Sequence, residues 1–233
     1  MTKSMTKIAV FGIVGLVVLI LCIFVYVRFS DYSDYKENAD VVNKYMQENH
    51  SNIRYELKKT IIGKNSWPAD RADDEFIYYD IDNEFYFRVT ILGDDVTDYY
   101  DEAFCGQRIV SEFKTECNID TNSCLMRAWA QKQSDDVYVD VLCQVVMFVN
   151  DAEVHNDAFE IYRYLNERYN DVEISFVFAK ENARQKYEDL FKYENRVALS
   201  SLPHFFYCDI ETDKVQFSTL NDFADYIKIH NIP

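Results

Sequence analysis

The chain has 233 residues, with 40 acidic against 24 basic side chains and a formal charge of −16. Binding to phosphate backbones needs clustered Lys and Arg, so nucleic acid is not an expected partner. Of the five glycines, Gly12 and Gly15 lie in the apolar N-terminus; the remaining three are too few and too scattered for a glycine-rich nucleotide loop.

Residues 1–7 form a short basic tail with Lys3 and Lys7, and 8–27 is an uncharged run of 20 residues closed by Arg28. At the helical rise such a run reaches ~30 Å, the hydrocarbon thickness of a bilayer. A cleaved signal would need a shorter apolar stretch and small residues at its end, and none occur here. Leu19-Ile20-Leu21-Cys22 resembles a lipobox, but Leu21 stands where that motif takes a small residue. The preferred reading is therefore a retained signal anchor over residues 8–28, with the lipid bilayer as its partner. Phe24, Tyr26 and Phe29 suit the interface. A basic tail directly before an apolar helix is the usual form of an anchor with an exported C-terminal domain. The expected location is thus the cell membrane, single-pass, with that domain outside the cytoplasm.

Beyond the anchor, Tyr35, Ala39, Val42 and Tyr45 or Met46 recur at helical spacing, and the helix is expected to stop near Glu48 to Asn52. The period then becomes two. Ile53, Tyr55 and Leu57 mark one strand, Phe76 to Ile81 a second, and Phe85, Phe87, Val89 and Ile91 a third, which together predict a three-stranded meander. Tyr99, Ala103, Val110 and Phe113 predict a helix. Leu125 to Ala130 reads as a short strand, and the polar stretch from Gln131 to Asp136 as a boundary.

The odd positions from Val137 to Val149 predict a strand central to a sheet, its apolar face starting at Val137. A helix is expected from Asp151, with Val154, Ala158, Ile161, Tyr162, Leu165 and Tyr169 on one stripe. Then follow a strand over Val172 to Ala179, a helix from Glu181 to Phe191, an edge strand over Phe205 to Ile210, and a closing helix from Thr219 to Ile229. The fold class is α+β: one transmembrane helix, then two helix-on-sheet subdomains at 32–134 and 135–233.

The first of these, helix then meander leading to Asp94-Asp95-Val96-Thr97-Asp98-Tyr99-Tyr100-Asp101, resembles uncharacterised membrane-anchored and lipoprotein domains of bacteria with a cystatin-like helix-on-sheet plan. The resemblance covers Tyr32 to Cys117. It implies an anchored extracytoplasmic location and this layout, and it brings no catalytic residue with it.

Cys117 and Cys124 enclose Asn-Ile-Asp-Thr-Asn-Ser, a turn-forming hexapeptide, and are the candidate disulfide on the oxidising side of a membrane; free thiols are the competing reading. The acids Asp94, Asp95, Asp98, Asp101 and Glu102, and the alternation Asp80-x-Asp82-x-Glu84, are read as solvated surface. Phe85 stands where a calcium loop needs its glycine. His50, His155, His204 and His230 share no helix face. His204 and Cys208, the nearest Cys/His pair, are ~13 Å apart if extended, too far for a nucleophile and its base.

No catalytic residue, metal site or cofactor is assigned. Eighteen tyrosines and 17 phenylalanines are expected chiefly to fill cores, with an exposed interface as the competing use. The expected function is a membrane-anchored extracytoplasmic binding or assembly module of unknown ligand, with a protein as a partner it could take. The alternative is a cell-envelope hydrolase using paired carboxylates.

Overall fold

The structure is a computed structural model and describes residues 2–63, 73–117, 123–134, 137–149, 156–169, 171–193 and 202–231. Within the first helix, side chains are described at 16–26 and from 35 onward. That helix, α1 (Thr2–Asn49), runs without a break from the apolar segment into the amphipathic one. Every described side chain at 16–26 is exposed. Among the described residues no helix is long and apolar enough to cross a membrane; 11 residues of helix rise only ~16 Å.

Four strands follow: β1 (Tyr55–Ile61), β2 (Asp74–Asp80), β3 (Phe85–Leu92) and β4 (Asp95–Asp98), in that order across one sheet. The fourth strand is missing from the expected meander. Its two end residues are Asp, which strands disfavour, and Val96 is its one apolar side chain. Gly93, at φ 63°, supplies the left-handed residue of the turn that brings the chain back. Next come α2 (Tyr100–Glu116), β5 (Cys124–Ser134), β6 (Val137–Phe148), α3 (Asn156–Arg168) and β7 (Glu173–Ala179). A 3₁₀ turn at Glu181–Ala183 leads into α4 (Arg184–Tyr193), and β8 (Phe206–Glu211) and α5 (Leu220–Ile229) close the fold. Val154 and His155, at the expected start of α3, lie outside the described residues. The α+β class is as expected.

By contacts the chain forms two units: Met1–Ile53 with Thr60–Phe76 and Val89–Thr97, and Arg54–Lys59 with Ile77–Arg88 and Asp98–Pro233. In the first, Val42 and Met46 of α1 are fully buried, Tyr35 stacks on Phe76 at 6.1 Å, and the Asn38 amide donates to Asp74 Oδ2 at 2.7 Å. Asp74, with no exposed surface, also accepts from the Gly63 N–H at 2.7 Å. Burying that carboxylate is tolerable because donors meet both its oxygens.

The second unit holds the other sheet, ordered β5-β6-β7-β8. Its central pair is parallel, joined through α3, and both outer pairs are antiparallel. The polar stretch expected to divide the chain is part of a hairpin, in which Lys132 faces Tyr138 and Ser134 faces Val137.

One side of the sheet is wholly apolar. Cys143, Val145, Met147, Ile174, Phe176 and Phe178 meet side chains of α2, α3 and α5 there, in one continuous core. The other side packs Val146 and Val177 against Ala183, Tyr187 and Leu190 of the 3₁₀ turn and α4. The strand β6 is central, as its two apolar faces predict. Its expected face is displaced at the start, however: Val137 is 45% exposed and Tyr138 is buried in the core. Asp140, at φ 51°, is the extra residue of a bulge between the pairs Trp129–Leu142 and Gln131–Val139. One inserted residue moves the side chains before it to the opposite face.

Aromatic residues supply much of this core. Phe159, Tyr162, Phe176 and Phe217 surround Phe223 with centroids 5.4–5.6 Å away. Tyr78, Tyr162 and Tyr187 are among the largest fully buried side chains.

Helix α2 crosses β5 at the closest range the backbone permits. A Cβ at Gly106 would lie 1.8 Å from the Ala128 carbonyl oxygen and 2.8 Å from the Trp129 nitrogen. Gly106→Ala gains ~1 kcal/mol of helix propensity, but a carbonyl in a sheet cannot swing aside, and overpacking of this kind costs ~1–3 kcal/mol or more. The expected outcome is a net loss of about 1–2 kcal/mol, read as a lower urea midpoint with unchanged slope. A midpoint at or above that of the parent would mean that α2 does not approach β5 this closely.

Candidate functional site

The feature best placed to hold a ligand is a cavity of ≈ 380 Å³ in the second unit, walled by β3, β5, α2 and α4. Each wall has a local cause. Gly106 draws α2 onto β5, leaving Ala103 and Gln107 of the same helix to line the cavity. Asp98 Oδ1 accepts from the Tyr100 N–H at 2.8 Å in the turn that enters α2, while the Tyr99 N–H donates to the Arg88 carbonyl at 3.0 Å and ties β3 to that turn. Phe85, Tyr86 and Phe87 come from β3, Met126 and Trp129 from β5, Phe191 from α4.

Arg127 is the residue around which this wall is organised. Its Nε donates to Gln144 Oε1 at 2.9 Å and its Nη1 to the Phe191 carbonyl at 2.9 Å. The guanidinium lies 4.5 Å from the Trp129 ring centre and 4.8 Å from that of Phe191. Such stacking favours a planar, weakly hydrated cation. The residue as a whole is half-buried, but Nη2 has essentially no solvent-accessible surface. Burial, and then the like charge of Arg88, push its pKa down to about 9. It is therefore still a cation at neutral pH.

A polar row leads away from it across the whole sheet. Arg127 is paired with Gln144, Gln144 with Ser175, and Ser175 with Asp209. Gln144 and Ser175 are 1% and 4% exposed, and Ser175 Oγ donates to Asp209 Oδ1 at 2.6 Å. None of these residues drew attention in the sequence. The available signal was Gln144, a polar side chain on the even face of a strand whose next even residues are Val146 and Phe148.

The residues singled out from sequence are not brought together into a catalytic group. His204 Nδ1 is 2.8 Å from the Leu202 carbonyl and its ring sits against Tyr207, while Cys208 is buried in the core with its thiol pushed up to about 12 by burial. His230 stacks on Tyr226 at 3.9 Å, and His50 is buried beside Tyr45.

Cys117 caps the C-terminal end of α2 and Cys124 opens β5; both are thiols here, and residues 118–122 between them lie outside the described residues. Burial and the neighbouring Glu116 and Glu160 raise the pKa of Cys117. Cys143 and Cys208 pair with Ile174 and Phe176. With β7 between them and a two-residue offset along it they are ~12 Å apart, beyond disulfide reach.

The acid alternation forms a turn instead of a cation loop. Asp80 has no exposed surface, and its Oδ1 accepts from the N–H groups of Asp82 and Asn83 at 2.8 and 3.1 Å. Its Oδ2 accepts from the Asn83 amide at 2.9 Å and the Tyr100 hydroxyl at 2.8 Å. Asp82 is held by the Arg54 guanidinium, its Nε at 2.8 Å. Among the described residues no three metal-type side chains converge.

No family model, curated protein or solved structure matches this chain. The functional reading therefore rests on the site.

Burial alone would raise the Asp80 carboxyl, but the hydrogen bonds from Asn83, Tyr100 and the backbone outweigh it and hold the carboxyl below its ordinary value. A depressed folded pKa means stability that is present above the unfolded value of ~4 and lost as pH falls through the folded one. Asp80→Asn is expected to cost about 1–3 kcal/mol at pH 7 and to flatten the acid limb of a stability–pH curve measured by urea denaturation. An unchanged limb would remove Asp80 as its source.

Proposed function

We propose that the chain is a single-pass, membrane-anchored module whose domain lies outside the cytoplasm and binds a small ligand. The observation that carries binding is the cavity, whose volume of ≈ 380 Å³ is within the range of small-molecule sites and whose lining is aromatic with a few convergent charges. Of the tyrosines that argued for an assembly surface, Tyr78, Tyr138, Tyr162, Tyr169 and Tyr187 are buried in cores, while others such as Tyr79 and Tyr86 are half-buried and Tyr99 is exposed.

The anchor is supported by the 20 uncharged residues of the sequence and by the uniform exposure at 16–26, from 49% at Val17 to 76% at Tyr26. A helix apolar on all sides has no stable place in water.

The hydrolase alternative has one observation in its favour, since Glu84 and Glu188 line the same cavity. Against it, the carboxyls among the described residues whose pKa departs from the ordinary value, Asp80, Asp82 and Glu181, all move down, the last two through hydrogen bonds from Arg54 and Arg184. A general acid needs a carboxyl moved up.

Two measurements test this reading. The full chain in zwitterionic nanodiscs, titrated calorimetrically with 2-naphthoate and 2-naphthamide, is expected to bind at least one of them 1:1, with empty discs subtracted. Gln107→Trp, which fills the cavity from a half-buried position, is expected to abolish that binding while leaving the melting temperature within a few degrees. Binding of neither compound, or binding that survives Gln107→Trp, would sink the ligand reading.

For location, protease added to intact spheroplasts should degrade the domain and spare the N-terminal tail, with Cys22 unlipidated because of Leu21. Peptide mapping of the same material without reductant should yield a linked 117–124 fragment. Resistance until lysis would place the domain inside and remove the ground for the disulfide; labelled fatty acid on Cys22 would establish the lipoprotein instead.

A further inference from the structure

We infer that the cavity selects ligands with an apolar body and a single negative group, a carboxylate or sulfonate held at Arg88 over the fixed charge of Arg127. This rests on the cavity being a binding site and names the chemical class it takes. The charged groups facing the cavity are Arg88, Arg127 and Lys192 against Glu84 and Glu188. Three bases to two acids is a local reversal of sign in a chain of net charge −16.

The two arginines contribute in different ways. Arg127 is immobilised by Gln144, the Phe191 carbonyl and two aromatic faces, and its guanidinium is screened from water. A charge fixed in a low-dielectric wall projects its field into the cavity instead of being cancelled by solvent. Arg88, half-buried on β3 with its backbone carbonyl tied to the start of α2, lines the same cavity.

The two cations oppose each other, since the Arg88 charge is one of the forces lowering Arg127. An anion entering beside Arg88 removes that repulsion, a gain that a neutral ligand of the same shape does not obtain. Glu84 is exposed and its charge is screened by solvent; Glu188 is half-buried. Phe85, Tyr86, Met126 and Trp129 provide the surface for the ligand's apolar body.

The test uses three compounds of one shape on the full chain in zwitterionic nanodiscs: 2-naphthoate, 2-naphthamide and 2-naphthylmethylamine. The expected order is naphthoate at least tenfold tighter than naphthamide, with the amine weakest. The preference should shrink severalfold between 20 and 300 mM salt. Arg88→Gln is expected to reduce naphthoate binding about tenfold while leaving naphthamide unchanged. That variant keeps the Arg127 clamp intact and so separates anion recognition from folding.

Equal affinities for naphthoate and naphthamide, a preference for the amine, or a naphthoate preference that survives Arg88→Gln would each overturn the anion assignment while leaving the binding cavity standing. Failure of all three compounds to bind would remove the cavity itself.

Discussion

A guanidinium in contact with two aromatic rings organises the second half of this protein. Arg127 sits on β5 at the point where α4 packs against the sheet, with the rings of Trp129 and Phe191 both within 5 Å of its guanidinium. Removing a cation from water is costly unless its donors and its faces are both satisfied. Gln144 and the Phe191 carbonyl take two of the donors, and in doing so they fix where the end of α4 lies on β5 and β6. The cavity wall and the cation within it therefore have one origin.

Much of the architecture was legible because periodicity reports burial directly. The two-sided apolar pattern of β6 reads as a central strand, and the 3.6-residue stripes of α3 and α5 as helices on a core. Thr219, whose side chain accepts from the Asp222 N–H, is the kind of cap that marks a helix start. Where the reading failed, a single backbone conformation was responsible. Asp140 in the left-handed region reverses the facing of the start of β6, and Gly93 permits a fourth strand where the composition looks like surface. A period-two pattern carries no mark of an inserted residue.

The site was less legible for a different reason. Its residues come from four elements whose proximity depends on α2 lying on β5 through Gly106, and no local pattern in the chain records that crossing. Arg88 and Arg127 read individually as the polar members of alternating strands, which they are. That both belong to one wall follows only from the fold. The acid runs present the reverse case: Asp80 and Asp82 drew attention by their spacing, and their oxygens are engaged by the turn and by Arg54.

The polar row from Arg127 through Gln144 and Ser175 to Asp209 also determines how the strands can be aligned. Strands such as β6 and β7, apolar on both faces, could slide along one another with little change in the area they bury. A shift by a single residue would carry Gln144 and Ser175 into the wholly apolar side, against α2, α3 and α5, with no donor or acceptor to meet them. A shift by two would keep the facing but break the alignment: β6 moving against β5 leaves Arg127 without Gln144 opposite it, and β7 moving against β8 leaves Ser175 without Asp209. The row thus acts as an index mark for an otherwise slippery sheet, and mispaired intermediates are penalised before the helices close over them.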